Sequence, residues 1–180
     1  MEFDPNSVYC IDIDNTICDS SGEFARWREK CRSMGCAHFL LDGDHFCAIR
    51  DTSVCIYQPK FRDAGIFGVE ALLELPPISE ARHVLKGFKR AYYISGRPES
   101  QRQVTLTWLE KNRFPMFRLY LRSDQDLRST VTGKAEVLYT IKQVYRKDGE
   151  PWVWIDDDER ARPFAKQMDI GFLKAPECFF

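Results

Sequence analysis

Ser7-Val8-Tyr9-Cys10-Ile11-Asp12-Ile13-Asp14 is a short apolar run that ends in two carboxylates. A run of this length reads as a buried strand whose far end meets solvent. A polar turn follows over 15–22, then a helical stretch over 23–34. The same grammar returns twice downstream. Residues 90–94 form an apolar run that passes into Ser95-Gly96-Arg97-Pro98, and Trp152-Val153-Trp154-Ile155 passes into Asp156-Asp157-Asp158. Between these runs lie helical patterns: 79–89, 99–112 with Val104, Trp108 and Leu109 inward, and 132–145 with Val137, Leu138, Ile141 and Val144 on one face. Further segments complete the alternation: a strand over 118–121, a helix over 159–168 and a strand over 170–173. Strands alternating with helices predict an α/β fold, a Rossmann-like parallel sheet covered by helices on both faces. Ligands of such sheets bind beyond the C-terminal strand ends. Three strand ends here carry polar chemistry: Asp12/Asp14, Ser95/Arg97 and Asp156/Asp157.

Segment 20–75 breaks the alternation. Asp42-Gly43 between two apolar runs signals a hairpin, and 53–57 reads as a further strand. The chain is therefore divided into a core, 1–19 and 76–180, and an insertion or cap, 20–75, expected to lie over the Asp12 pocket and set substrate choice. Cys31, Cys36, His38, His45, Cys47 and Cys55 fall close together in it. Zinc could use four of them, but no Cys-x-x-Cys pair is present, and buried thiols are the favoured reading.

The chain has 180 residues, 44% of them hydrophobic and 29% charged, with a formal net charge of −1. That is globular composition. It offers no global attraction to nucleic acid or an anionic membrane, so a polyanionic substrate needs a local patch. No apolar run reaches the roughly 18 residues of a membrane span, and 1–7 lacks the pattern of a signal peptide. A cytoplasmic location and free thiols for the seven cysteines follow as expectations. No obligate protein partner is evident.

The strand-end residues suit phosphoryl transfer. Asp12 can serve as a carboxylate nucleophile that forms an aspartyl-phosphate. Asp14, a short turn away, can protonate the leaving oxygen and then activate water. Carboxylates this crowded need a cation, and Asp156 and Asp157 supply further oxygens for Mg²⁺. Thr16 and Ser95 offer hydroxyls, the loop near Ile13 and Gly96 offers amides, and Lys134, read as beginning a helix after Gly133, offsets negative charge. Taken singly the residues have duller readings: turn formers, helix caps (Asp158 in particular) and solvated charges.

Asp12-Ile13-Asp14-Asn15-Thr16, Ser95, Lys134 and Asp156-Asp157, in that order, resemble the motif set of the haloacid dehalogenase (HAD) superfamily of phosphatases. The resemblance covers about 7–19 and 76–175. It implies Asp12 as nucleophile, Asp14 as acid/base, Thr16 and Ser95 as phosphate binders, Lys134 as the charge-balancing lysine, and Asp12, Asp14 (through its carbonyl), Asp156 and Asp157 around Mg²⁺. Ser95-Gly96-Arg97, Trp108-Leu-Glu, the polar loop 122–134 and Trp154-Ile-Asp-Asp157 are similar to the phosphatase half of phage polynucleotide kinase–phosphatase. No Walker-A loop accompanies them. This narrower resemblance implies action on nucleotide or polynucleotide 3′-phosphate ends, with Arg97 and Arg122 as phosphate or nucleotide contacts. The near-neutral charge leaves a 5′-nucleotidase or another small-metabolite phosphatase as an alternative, and a catalytically silent module with the same fold as another.

Overall fold

In the computed structural model, residues 3–33, 67–126, 129–147 and 149–180 are described. Five parallel strands form one sheet in the order β3-β2-β1-β4-β5. They are β1 (Val8–Ile11), β2 (Ala91–Pro98), β3 (Arg118–Arg122), β4 (Trp152–Asp156) and β5 (Gly171–Lys174). The helices are α1 (Ser21–Ser33), α2 (Val69–Leu73), α3 (Ser79–Leu85), α4 (Arg102–Lys111), α5 (Thr130–Tyr145) and α6 (Arg162–Gln167). The expected α/β class and doubly covered parallel sheet are present.

Strand periodicity explains the two cores. Tyr9 and Ile11 point to one face, where they join Tyr93, Trp108, Leu109 and Leu119. Val8 and Cys10 point to the other, where they meet Ile94, Trp154, Leu138 and Ile141. Both faces of β1 are therefore apolar, as a central strand of a parallel sheet requires. Leu72 and Leu75, which the sequence reading places in the insertion, are buried in the first of these cores. The Trp108 indole donates to the Leu75 carbonyl at 2.9 Å.

Several boundaries differ from expectation. β2 continues through Pro98, with an irregularity after Ser95. The helices expected from 99 and from 159 each begin with a 3-10 turn, Glu99–Gln101 and Glu159–Ala161. Asp158 caps the second of these, its side chain accepting from the Arg160 amide. α5 starts at Thr130, so Lys134 lies in its second turn rather than at its beginning. Val144 is 65% exposed instead of facing the core. The buried stripe of α5 runs through Val131, Ala135, Leu138 and Ile141, and the partly buried Tyr145 closes it four residues on.

Of the insertion, the described part is α1, α2 and their flanks. Cys31 is buried there. The expected hairpin at Asp42-Gly43, the strand at 53–57, the lid they were to form and Cys36, His38, His45, Cys47 and Cys55 lie outside the described residues. Among the described residues no helix is long and apolar enough to cross a membrane.

Candidate functional site

Register brings the strand ends together. Ile11 pairs with Ile155 of β4 and with Tyr93 of β2. The next residues are therefore level: Asp12 stands opposite Asp156, and the Asp12 amide donates to the Ile155 carbonyl at 2.9 Å. Ser95 occupies the last regular rung of β2, opposite Leu121. All these ends lie on one edge of the sheet because every strand runs the same way.

The loop after β1 is tightly wound. The Ile13 carbonyl accepts from the amides of Thr16, Ile17 and Cys18 at 3.2, 2.9 and 3.2 Å. Asn15 takes φ +56°, a left-handed conformation that asparagine tolerates. Its Oδ1 accepts from the amide and hydroxyl of Ser20 at 3.1 and 3.0 Å, which ties the loop to the start of α1. Thr16 is fully buried, and its Oγ1 has no hydrogen-bond partner. A buried hydroxyl without a partner among the described residues keeps its donor capacity open.

Lys134 forms the electrostatic centre. Ser129 caps α5, its hydroxyl accepting from the Thr132 amide at 3.2 Å. From the second turn, Lys134 Nζ reaches Asp156 Oδ2 at 2.6 Å and Asp12 Oδ1 at 3.4 Å. The side chains of all three are at most 5% exposed. Asp156 is also held by the Trp154 indole, 3.0 Å from Oδ2, and by the Asp158 amide, 3.0 Å from Oδ1. Trp154 and Asp156 share a face of β4 through their i,i+2 spacing. Sequence reading alone assigns Trp154 no role in holding Asp156, although that spacing was visible.

Asp12, Asp156 and Asp157 each offer a carboxylate oxygen, all within 4.8 Å of one another, and could hold a metal ion. Burial raises the pKa of Asp12 most. Lys134 opposes this, but Asp156, Asp157 and Asp14 add to it, and the result lies well above the usual carboxylate range. Burial and then Asp156 push Asp157 up to about 7. Burial alone would lower Lys134, but Asp12 and Asp156 outweigh it and hold the ammonium charged. The arrangement is a concentration of negative charge that one lysine only partly offsets, which is what a divalent cation relieves.

The Asp14 side chain stands apart from these carboxylates. Its side chain turns to Arg97 in a two-pronged ion pair, Nε to Oδ2 at 2.9 Å and Nη2 to Oδ1 at 2.7 Å. Only its backbone carbonyl is left for the ligand role expected of it. Burial would raise its pKa, but Arg97 overrides that and the net shift is downward. Arg97, expected to touch substrate, is instead 5% exposed and occupied. Its Nη1 donates to Thr105 on α4 at 3.3 Å, and its Nη2 approaches Cys18 Sγ at 3.6 Å. Thr105 and Cys18 escaped the sequence reading; a lone threonine on an apolar helix face and a lone cysteine in a loop carry no pattern.

Ser95 is buried, and its Oγ accepts from the Arg97 amide at 3.2 Å. Gly96 is required by close approach: a Cβ there would overlap the Thr130 methyl and lie 3.2 Å from Thr130 Cβ. Arg122 ends β3, and a Cβ at Gly133 would lie 3.8 Å from its Cδ and 3.3 Å from Asp126 Oδ2. The neighbouring Asp124 is fastened to Ser100, accepting from its amide at 3.1 Å and its hydroxyl at 2.6 Å. The loops after β2 and β3 are thus joined.

Neither a family model nor a curated protein matches the sequence. Solved structures do match. A haloacid dehalogenase-like hydrolase from Streptococcus pneumoniae has a TM-score of 0.59 at 15% identity, over 93% of this chain and 83% of its own. A chain of the Pnkp1/Rnl/Hen1 complex has a TM-score of 0.55 at 15% identity; 93% of this chain is covered, but only 44% of that longer one. A HAD family enzyme from Bacteroides thetaiotaomicron, solved with magnesium and inorganic phosphate, has a TM-score of 0.51 at 17% identity, over 93% of each chain. The chain has the HAD-like fold.

Proposed function

We propose that the protein is a magnesium-dependent phosphomonoesterase that works through an aspartyl-phosphate on Asp12. The observation that carries this reading is the set of buried Asp12, Lys134 and Asp156 with half-buried Asp157 beside them, the lysine 3.4 Å from Asp12 Oδ1. The three clustered carboxylates fit a hard, oxygen-preferring cation. A HAD family enzyme of similar fold is solved with magnesium and inorganic phosphate; held by these carboxylates, magnesium would offset the phosphate charge and shield it from the anionic nucleophile.

Asp12 attacks phosphorus, the bond to the ester oxygen breaks, and Asp14 gives that oxygen its proton. Lys134 balances charge on Asp12 and the phosphoryl oxygens. Thr16 Oγ1, lacking any partner of its own, donates to one of those oxygens, and Ser95 flanks the group from β2. Asp14 then takes a proton from the water that opens the aspartyl-phosphate. Paired with Arg97, Asp14 is in the ionised form this second step needs. The arriving phosphate dianion favours the protonated form needed first, because a neighbouring negative charge raises a carboxyl pKa.

The substrate class we infer is a nucleotide or polynucleotide 3′-phosphate end. Its supports are the Ser95-Gly96-Arg97 pattern and the likeness in fold to a chain of the Pnkp1/Rnl/Hen1 complex. Arg122, at the end of β3 beside Gly133, is the other arginine that the pattern offers for a substrate contact. Phosphate release tests both levels, using 3′-phosphorylated oligonucleotides, 3′- and 5′-mononucleotides, sugar phosphates and an aryl phosphate, with and without Mg²⁺. Preference for 3′ ends supports the full reading. Preference for 5′-mononucleotides keeps the chemistry and replaces the substrate. Turnover that survives Asp12→Asn refutes the covalent mechanism.

A further inference from the structure

At the opposite edge of the sheet, beside the N-terminal ends of β4 and β5, lies a cleft of about 660 Å³. That is within the usual size of a small-molecule site. Lys142 and Arg146 at the end of α5 and Arg162 and Lys166 of α6 line it, against the carboxylates Glu150 and Asp169. Some of this charge is spoken for. Arg162 pairs with Glu159, and Lys142 donates to the carbonyls of Met168 and Asp169, where a cation suits a helix end. Arg146 and Lys166 are exposed and have no carboxylate partner among the described residues. The cations crowd one another: burial first, then Arg146, holds Lys142 below the ordinary lysine value.

Two buried atoms in the same lining lack partners. Trp152, 2% exposed, has an indole N–H with no acceptor. Its ring is stacked on Tyr92, the planes 8° apart. Glu150 gives one carboxylate oxygen to Arg90 and leaves Oε2 without a donor. A buried donor and a buried acceptor left open are unfavourable unless a ligand or water completes them. A planar heterocycle edge presents a donor and an acceptor side by side, and phosphates suit free arginine and lysine heads at a rim.

We propose that this cleft is a second, non-catalytic nucleotide site, in which Trp152 and Glu150 receive the base edge and Arg146 and Lys166 the phosphates. It stands independently of the catalytic reading, because it shares no residue with the Asp12 site and lies at the other end of the strands.

The test titrates Asp12→Asn protein, which removes turnover, with ADP, inorganic pyrophosphate and an unphosphorylated oligonucleotide, followed by tryptophan fluorescence and calorimetry. ADP is expected to bind one-to-one, and Arg146→Glu/Lys166→Glu to weaken it by about tenfold or more. Trp152→Phe should weaken ADP more than pyrophosphate. Both charge-reversed residues are exposed, so that variant folds, and in the Asp12 background it should hydrolyse an aryl phosphate as the parent does. Pyrophosphate binding as tightly as ADP overturns the nucleotide assignment, and the oligonucleotide binding more tightly than ADP replaces it with a strand-binding surface. ADP affinity unchanged by charge reversal, or no ADP binding at millimolar concentration, overturns the site itself.

Discussion

Replacing Lys134 with Met tests the electrostatic centre directly. The ammonium sits 2.6 Å from Asp156 and 3.4 Å from Asp12, and none of the three side chains is more than 5% exposed. Methionine keeps the length of the chain and removes the charge, so two buried carboxylates lose their common cation. Breaking a buried pair by deleting one partner costs about 3–5 kcal/mol. At about 2–4 °C per kcal/mol for a domain of this size, the melting temperature should fall by roughly 6–20 °C in EDTA at pH 8. The sign of the pH dependence follows. Burial already holds the folded-state pKa of Asp12 above its unfolded value of about 3.9, and loss of Lys134, which lowers it, raises it further. A carboxyl of that kind is destabilising while ionised, and the penalty fades as pH falls through the raised pKa and is gone below the unfolded one. The deficit measured by thermal unfolding should therefore shrink steadily from pH 8 to pH 5. Mg²⁺ should recover part of it at pH 8 by supplying the missing positive charge. A deficit under about 1 kcal/mol at pH 8, or one that does not change with pH, would refute the argument, since surface pairs give values that small.

Gly96→Ala forces a methyl into Thr130. Overpacking of this kind costs about 1–3 kcal/mol; Thr130→Ser in the same chain should recover most of it in a denaturant titration, and a neutral Gly96→Ala would show that the approach is not close. Arg97→Ala frees Asp14 from the guanidinium that lowers its pKa, so the acidic limb of the kcat profile on an aryl phosphate should move to higher pH, with kcat at neutral pH down by about 10²-fold or more; an unmoved limb removes Arg97 from the control of Asp14. Mg²⁺ at about 100 times its Kd should stabilise the fold by about 2.7 kcal/mol, and Asp157→Asn should weaken that gain; thermal shifts against Mg²⁺ concentration that coincide for both proteins would exclude Asp157 as a ligand.

Much of the site was legible because strand ends announce themselves. An apolar run that stops at a polar side chain, three times over, places Asp12, Ser95 and Asp156 at one sheet edge, since parallel strands share a direction. Element ends were less legible. The start of α5 was set too late, because Ser129 as a cap lies in a polar loop with no periodic residue beside it. Val144 was read inward because a stripe at spacing three or four leaves two candidates at each step, and only the packing of Tyr145 chooses between them.

Pairings across the chain were not legible at all. Arg97 reaches Asp14 over 83 residues of separation, and nothing in Ser95-Gly96-Arg97 says whether the guanidinium faces a substrate or a carboxylate. The choice is made by shape. Thr105, fully buried on α4, and Cys18 close the space around the arginine, so the planar fork meets the nearest carboxylate in two parallel bonds. The same geometry divides the acids by role. Asp12 and Asp157 are left with raised pKa values and share one lysine with Asp156, whereas Asp14 has an arginine of its own and a lowered pKa. Carboxylates of the same residue type on adjacent strand ends, all buried in some degree, thus acquire different chemistry from the cations that reach them. In the proposed mechanism, that difference separates the nucleophile from the acid/base that exchanges protons within each turnover.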